Sequence, residues 1–150
     1  MRDIAPNDFS AAPALANLRG RRTTRPMDSR RFDDYIRRFN AQDASAFDEY
    51  LAPDVRVLNG GLVLDGVDAM QAHYAKIWAT FFEVVHVERR VADAHGLAAQ
   101  MWTHFSARRD DAASTFGAVR RGDRFDFRGI VMYRIERGRF AEIRVAYNSF

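Results

Sequence analysis

Four side chains stand out in this sequence because together they could move a proton. They are a phenol, a carboxamide and two imidazoles, those of Tyr35, Asn59, His86 and His104. Imidazole is the only side chain whose unperturbed pKa lies near neutrality, so His104, and in second place His86, is the expected base or acid. Tyr35 would polarise a substrate carbonyl, and Asn59 would orient the substrate or a water molecule.

A predicted helix carries Tyr35. Its apolar residues repeat with the 3.6-residue period of one helix face: Phe32, Tyr35, Ile36 and Phe39. Asp28 or Ser29 can accept hydrogen bonds from the first free amides and so cap the start of this helix. The apolar period stops at Asn40, which predicts the end of the helix.

Asn59 is expected at the end of a strand. After a second short helix that is closed by Pro53, the residues Val55, Val57 and Asn59 occupy alternate positions and would share one strand face. The third position of this face is polar, which is typical of a strand end or of a site. We therefore expect Asn59 and Tyr35 to point into the same cavity.

A short strand and a third helix are predicted next. The strand covers residues 62–64, and Asp65 can cap the helix that follows. One face of this helix is apolar: Val67, Met70, Tyr74 and Ile77. The helix is expected to pack across the sheet.

From Phe82 onward the period changes to two, which predicts a long β-hairpin around a loop at residues 94–96. A three-residue loop would set the facing pairs: Asp93 with Leu97, His86 with His104, and Glu88 with Trp102. The two histidines and Trp102 would then share one face of the hairpin.

Two orientations of this hairpin remain open. The other face is more apolar and would on that ground form the core: Val85, Val87, Val91, Ala99, Met101, Thr103 and Phe105. His86, Trp102 and His104 would then lie on the outer surface with Ile130 and Met132, a surface suited to a homodimer interface. In the alternative orientation, His86, Trp102 and His104 face the substrate pocket.

The last two strands are predicted to complete the pocket. Their apolar sides include four expected lining residues: Phe127, Val131, Val145 and Tyr147. A loop at residues 110–123 precedes them, and Phe116 within it is a candidate lid residue.

The composition indicates one domain with a substantial core, since the chain has 150 residues of which 47% are hydrophobic. It contains no cysteine, which excludes disulfides, a thiol nucleophile and a Cys-ligated metal. No apolar run approaches the roughly 20 residues of a membrane span, and no export signal precedes the domain. We expect a cytoplasmic protein that does not bind membranes.

Positive charge is concentrated in the first residues. Residues 1–31 contain seven Arg and three Asp and so carry +4, while the remaining residues carry −1, which gives the formal net charge of +3. We expect residues 1–28 to form a flexible, arginine-rich N-terminal arm and residues 29–150 to form the domain. Because that domain is nearly neutral, it is not expected to bind nucleic acid.

Three stretches of the sequence resemble one known family. The run Y-x3-F-N-A-x-D starts at Tyr35, and A-P-D-V starts at Ala52, with the polar Asn59 five places after its Asp. Residues 128–144, RGIVMYRIERGRFAEIR, resemble the pattern G-x-D-x-[FY]-R-x-x-x-G-[KR]-[IF]-x-E. Together they resemble the nuclear transport factor 2-like superfamily and its SnoaL-like polyketide cyclases, over about residues 30–150.

This resemblance implies a fold and a partner. The fold is α+β, with a cone-shaped, curved, mixed β-sheet packed on three helices from the N-terminal half, a cystatin-like α+β barrel. The hollow between sheet and helices would hold a small apolar ligand. Members of the family commonly form homodimers through the outer face of the sheet.

The resemblance also limits the chemistry. Tyr35 matches the tyrosine of ketosteroid isomerases, but their proton-shuttling Asp falls on Asn59 and their oxyanion-binding Asp on Val131, so a standard ketosteroid isomerase is excluded. Val131 likewise replaces the acid of SnoaL-like cyclases. Asn59 matches the asparagine of limonene epoxide hydrolases, whose Arg-x-Asp pair falls on Trp102 and His104.

The function expected from these residues is cofactor-independent proton transfer on an apolar, cyclic or polyketide-like substrate, by a cyclase, dehydratase or isomerase. The set resembles scytalone-dehydratase-like sites, which use histidines, tyrosines and an asparagine rather than a metal. Two histidines without a third ligand predict no metal site, and the lack of a glycine-rich phosphate loop predicts no nucleotide cofactor. The alternative is a non-catalytic ligand-binding or dimerisation module with a degenerate pocket, which the loss of both carboxylates favours.

Overall fold

The computed structural model describes residues 25–148. Within this range there are three helices: α1 (Ser29–Asn40), α2 (Ser45–Tyr50) and α3 (Val67–Thr80). The strands of the same range are β1 (Leu51–Asn59), β2 (Leu62–Asp65), β3 (Phe81–Ala92), β4 (Gly96–Ala107), β5 (Asp111–Ser114), β6 (Gly117–Val119), β7 (Arg124–Glu136) and β8 (Arg139–Asn148). Most of the expected arm, residues 1–28, lies outside the described residues.

Six strands form one mixed, curved sheet in the order β2-β1-β8-β7-β4-β3. β1 runs parallel to β8, and the other neighbouring strands are antiparallel. β5 and β6 form a separate two-stranded ribbon, where the sequence predicts a loop. The three helices pack on the large sheet, which confirms the expected α+β fold.

α1 begins where its sequence predicts. Asp28 Oδ1 accepts a hydrogen bond from Arg31 N at 2.8 Å, which satisfies one of the free amides of the first turn. The buried residues of α1 belong to the predicted apolar stripe: Phe32, Tyr35 and Phe39. α1 therefore holds the Tyr35 ring between helix and sheet.

α3 begins differently from the prediction. Asp65 is the last residue of β2, and Gly66 occupies the N-cap position with a φ of 86° and no side-chain cap. A residue without Cβ adopts this backbone conformation at little cost. Gly66 N also donates a hydrogen bond to Val55 O at 2.8 Å. The backbone of Gly66, rather than the Asp65 carboxylate, sets the start of α3.

The hairpin of β3 and β4 has a different register from the predicted one. Its facing pairs include Ala92 with Leu97, His86 with Trp102, and Val84 with His104. The predicted pairs of Asp93 with Leu97 and of His86 with His104 are therefore wrong. The turn is one residue longer than expected, and a second shift occurs within β3 between Val87 and Arg89.

The second shift is a β-bulge at Glu88. An extra residue in one strand moves all residues beyond it to the opposite face, because strand side chains alternate. Val91, which the sequence places on the inner face with Val85, is therefore 72% exposed, whereas Val85 is buried. The bulge reverses the in–out alternation of β3 alone, because Leu97, Ala99, Met101 and Phe105 of β4 are buried on both sides of it.

Aromatic rings fill much of the core between helices and sheet. Phe47 of α2 stacks on Trp78 of α3 with ring centroids 5.7 Å apart, and Phe39 of α1 lies 4.9 Å from Tyr74 of α3. These contacts join the three helices to one another. Of the helices in residues 25–148, none has the length and apolar character needed to cross a membrane.

Candidate active site

A cavity lies between α1 and α3 on one side and the large sheet on the other. The volume of this cavity, counted as the space open to the centres of water molecules, is about 80 Å³. This is several times the volume that one water molecule needs, so the cavity can hold a small organic group. Its wall is rich in aromatic rings: Tyr35, Phe39, Tyr74, Tyr133 and Tyr147. The other polar residues of the wall are Asn59, His73, Glu83 and Thr103.

Glu83 of β3 is the acidic side chain of this cavity, and only 6% of it is exposed. Among the residues that the structure describes, its Oε2 has no partner with full hydrogen-bond geometry. Burial disfavours the charged form and raises the pKa of Glu83 from its ordinary value to about 8. Near neutral pH this carboxyl is mostly protonated and still able to ionise, which is suited to giving and taking a proton.

The indole of Trp78 is the polar group that partly opposes this rise. Its N–H lies close enough to lower the pKa of Glu83, although neither Trp78 Nε1 nor Glu83 Oε2 has a partner with full hydrogen-bond geometry among residues 25–148. Buried polar atoms are nearly always paired in proteins, and each exception calls for a cause. The Glu83 carboxyl therefore lies in the cavity wall with the Trp78 indole as its neighbouring donor.

Phenol groups share the cavity with Glu83. Burial raises the pKa of Tyr35, Tyr74 and Tyr133 above the ordinary value, and the Glu83 charge raises the pKa of Tyr35 and Tyr74 further. These phenols therefore stay protonated at neutral pH and act as hydrogen-bond donors, not as bases. Such donors can stabilise negative charge that develops on a substrate oxygen.

The free edge of β3 is held by two side chains from the end of α1. Asn40 Nδ2 donates to Val85 O at 2.9 Å, and Asn40 Oδ1 accepts from Val85 N at 2.8 Å. Gln42 Nε2 donates to Phe81 O at 3.1 Å. Because Val85 and Phe81 each lie two residues from Glu83, these bonds fix the backbone on both sides of the buried carboxyl.

Asn59 and Tyr147 meet at the rim of the cavity. Asn59 Nδ2 donates a hydrogen bond to Tyr147 Oη at 3.3 Å. His73 of α3 also lines the cavity, and burial, followed by the charge of Lys76, lowers the pKa of its imidazole. His73 is therefore neutral at pH 7 and adds no positive charge to the cavity.

The structure brings together five of the predicted site residues along the cavity wall: Tyr35, Asn59, Val131, Val145 and Tyr147. Phe127 is not part of this wall, and its ring lies 5.1 Å from that of Tyr147. Asn59 and Val131 thus occupy the cavity without supplying the carboxylates of ketosteroid isomerases.

The structure does not bring His86, Trp102 and His104 to this cavity. Met101 and Thr103 line it, and because side chains alternate along β4, Trp102 and His104 point to the other face of the sheet. The His86 and His104 rings lie 5.2 Å apart on that outer face. Of the two orientations left open by the sequence, the one with the apolar face in the core is the one observed.

Glu83 is a site residue that the sequence prediction misses. The available signal is its position: it precedes Val85 by two residues and shares its strand face, so a carboxyl interrupts an otherwise apolar inner face. The histidines of the same hairpin have the more suitable ordinary pKa, and they draw the prediction away from Glu83.

The sequence identifies the family of the protein. A family model described as a SnoaL-like domain matches residues 32–143. The chain belongs to this family, within the NTF2-like superfamily. No curated protein matches the chain.

Solved structures share the fold at low identity. A candidate polyketide cyclase from Pseudomonas putida is 24% identical over 79% of this chain and 89% of that one, with a TM-score of 0.67. A candidate polyketide cyclase from Xanthomonas campestris is 21% identical over 79% and 87%, with a TM-score of 0.68. An LEH-like epoxide hydrolase from M. tuberculosis is 14% identical over 79% and 80%, with a TM-score of 0.63. At these identities the likeness establishes the fold alone.

Proposed function

We propose that this protein is a small, cofactor-independent enzyme that catalyses proton transfer on an apolar, cyclic or polyketide-like substrate. The reaction would be a cyclisation, a dehydration or an isomerisation, each of which needs a proton to be removed at one atom and supplied at another. SnoaL-like membership and neighbours named as candidate polyketide cyclases support this class of reaction.

The observation that carries the proposal is the buried carboxyl of Glu83 in a cavity of apolar and aromatic side chains. In this setting a carboxyl has a pKa of about 8, so it is available as an acid at neutral pH and as a base slightly above it. Glu83 supplies the acid–base group that the residues at positions 59 and 131 lack.

The phenols complete the proposed mechanism. Glu83 in its ionised form takes a proton from carbon, and the negative charge moves to a substrate oxygen. Tyr35 and Tyr74, which remain protonated, donate hydrogen bonds to that oxygen. Asn59 and Tyr147, joined at the rim, would orient the substrate.

The test uses 5-nitrobenzisoxazole, a neutral aromatic probe. A carboxylate base removes the proton on its C3, the N–O bond breaks, and a coloured nitrophenolate forms. We expect the protein to accelerate this reaction on the order of 10²-fold over an acetate buffer of equal carboxylate concentration, as buried general bases do. The rate should rise with pH to a plateau, with a midpoint at about 8.

Two variants separate Glu83 from the rest of the protein. Glu83→Gln should lose the acceleration, whereas Glu88→Gln, which alters an exposed carboxyl on the same strand, should retain it. A rate equal to that in buffer, or a Glu83→Gln variant as active as the parent, would contradict the proposed function.

A second candidate function is a non-catalytic ligand-binding module. Asn59 and Val131 favour it, because both line the cavity at positions where related enzymes carry acids. Under this alternative the probe binds to the protein without turnover, and Glu83→Gln changes only the affinity.

A further inference from the structure

The charged side chains of the cavity wall determine which ligand charge the cavity can accept. Among the residues that line it there is one carboxyl, that of Glu83, and there is neither lysine nor arginine. His73 is held neutral by burial and by the charge of Lys76. An anionic ligand would therefore lose its hydration without gaining an opposite charge, which is costly in a buried site.

The side chains of the cavity wall favour a cationic ligand. The faces of aromatic rings carry negative electrostatic potential and attract cations, most strongly in sites without water. Tyr35, Phe39 and Tyr74 line the cavity together with Glu83. A cationic ligand would find both an aromatic enclosure and a carboxylate, to which a protonated amine can donate a charge-assisted hydrogen bond.

We propose that the ligand of this cavity carries a protonated amine on an apolar body, and that the ammonium group pairs with Glu83. The inference rests on the proposed function only in that the cavity must admit a small molecule. When the ammonium binds, Glu83 releases its proton to the solvent and becomes a carboxylate. The ligand itself would thus hold Glu83 as a carboxylate.

This release makes binding depend on pH. Below the pKa of about 8, each ammonium bound displaces a proton from Glu83, so affinity falls as the solution becomes more acidic. Other titratable groups share the cavity with Glu83 from the surrounding elements: Tyr35 of α1, His73 and Tyr74 of α3, Tyr133 of β7 and Tyr147 of β8. The phenols have raised pKa values and His73 a lowered one, so Glu83 is the group that titrates near pH 8.

The test compares three ligands of similar shape by calorimetry: benzylammonium, benzyl alcohol and benzoate. At pH 7, benzylammonium should bind at least about tenfold more tightly than benzyl alcohol, and benzoate should bind most weakly. The benzylammonium affinity should rise about tenfold from pH 6 to pH 7 and level off near pH 8. Titrations in buffers with different ionisation enthalpies should show nearly one proton released per ligand at pH 7.

The variants give a second readout. Glu83→Gln, which keeps the size of a carboxyl that is mostly neutral at pH 7, should bind benzylammonium no better than benzyl alcohol. Glu88→Gln should bind as the parent does. Equal affinity of the parent for benzylammonium and benzyl alcohol, or binding without proton release, would overturn the ligand class and leave the proposed proton transfer standing. If none of the three ligands binds, both proposals fail.

Discussion

Asn40 holds the backbone of Val85 with both ends of its carboxamide, through hydrogen bonds of 2.9 and 2.8 Å. The contact satisfies one amide and one carbonyl on the free edge of β3. We predict that Asn40→Ala lowers the free energy of unfolding by about 2 kcal/mol, since two hydrogen bonds are lost. Urea titration measures this change.

Gln71→Ala is the matched control, because Gln71 Nε2 makes an exposed hydrogen bond to Asp48 at 3.1 Å. Its effect should stay within about 0.5 kcal/mol, as for most surface substitutions. Equal destabilisation by Asn40→Ala and Gln71→Ala would show that the contact of Asn40 with Val85 stabilises the protein no more than an exposed hydrogen bond does.

The buried carboxyl of Glu83 should make the protein less stable as pH rises. Its pKa is about 8 in the folded state and near the ordinary 4.5 in the unfolded state, so the folded state binds more protons between these values. The free energy of unfolding should therefore fall between pH 5 and pH 8, by on the order of 4 kcal/mol, and become level above that. Urea titrations at constant ionic strength measure the slope.

Glu83→Gln removes the titrating group and should remove most of this slope, so that the variant is more stable than the parent at pH 9. Glu88→Gln, an exposed change on the same strand, should keep it. A parent protein whose stability is level from pH 5 to pH 8 would show that Glu83 is not buried as described.

Gly129 should not tolerate a side chain. A Cβ there would collide with the carbonyl oxygen of Ala146 and lie 3.0 Å from Tyr147 Cα on the neighbouring strand. We expect Gly129→Ala to lower the unfolding free energy by about 2 kcal/mol, the range of overpacking changes. Gly61→Ala is the control, because a Cβ added at Gly61 would have no neighbouring atom within 4 Å. Equal melting temperatures for the two variants would contradict this.

The outer face of the sheet is proposed to form a homodimer interface. Ile130 is 46% and Met132 57% exposed there, on the strand that pairs with the one carrying Trp102 and His104. The same face carries both signs of charge, including Arg128 paired with Glu88 at 3.7 Å, so two copies could match in opposite orientation. Ile130→Asp should convert a dimer to a monomer in light scattering.

Val63→Asp is the control for this change, since Val63 is also 46% exposed but lies on β2 at the far edge of the sheet. Val63→Asp should leave the molecular mass measured by light scattering unchanged. A monomeric parent protein, or a dimer that survives Ile130→Asp, would exclude this interface.

The helices and the inner faces of the last strands could be predicted because their signals are local. Apolar spacing places Tyr35 on α1, and alternation places Val131 and Tyr147 on the inner face. Such patterns depend on side-chain direction alone, and that direction is fixed by helix or strand geometry. Tyr35 and Val131 also lie within residues 32–143, which the family model matches.

The acid–base group could not be found in the same way. An imidazole suits the chemistry by its type, but His104 could act only if its face of β4 met the core. Glu83 has an unsuitable pKa in water and acquires a suitable one only inside the cavity. A side chain whose chemistry is created by the fold is difficult to recognise from its type.

The bulge at Glu88 determines which face of β3 each later residue occupies. Deleting Glu88 would make the pairing with β4 regular and leave Arg89 to Ala92 on their present faces, whereas pairing Glu88 itself with Gln100 would turn every one of these residues to the opposite face. Arg90, which now reaches Asp33 on α1, would then point outward and lose that ion pair. An alignment of this strand with a relative that lacks the bulge needs a one-residue gap at position 88.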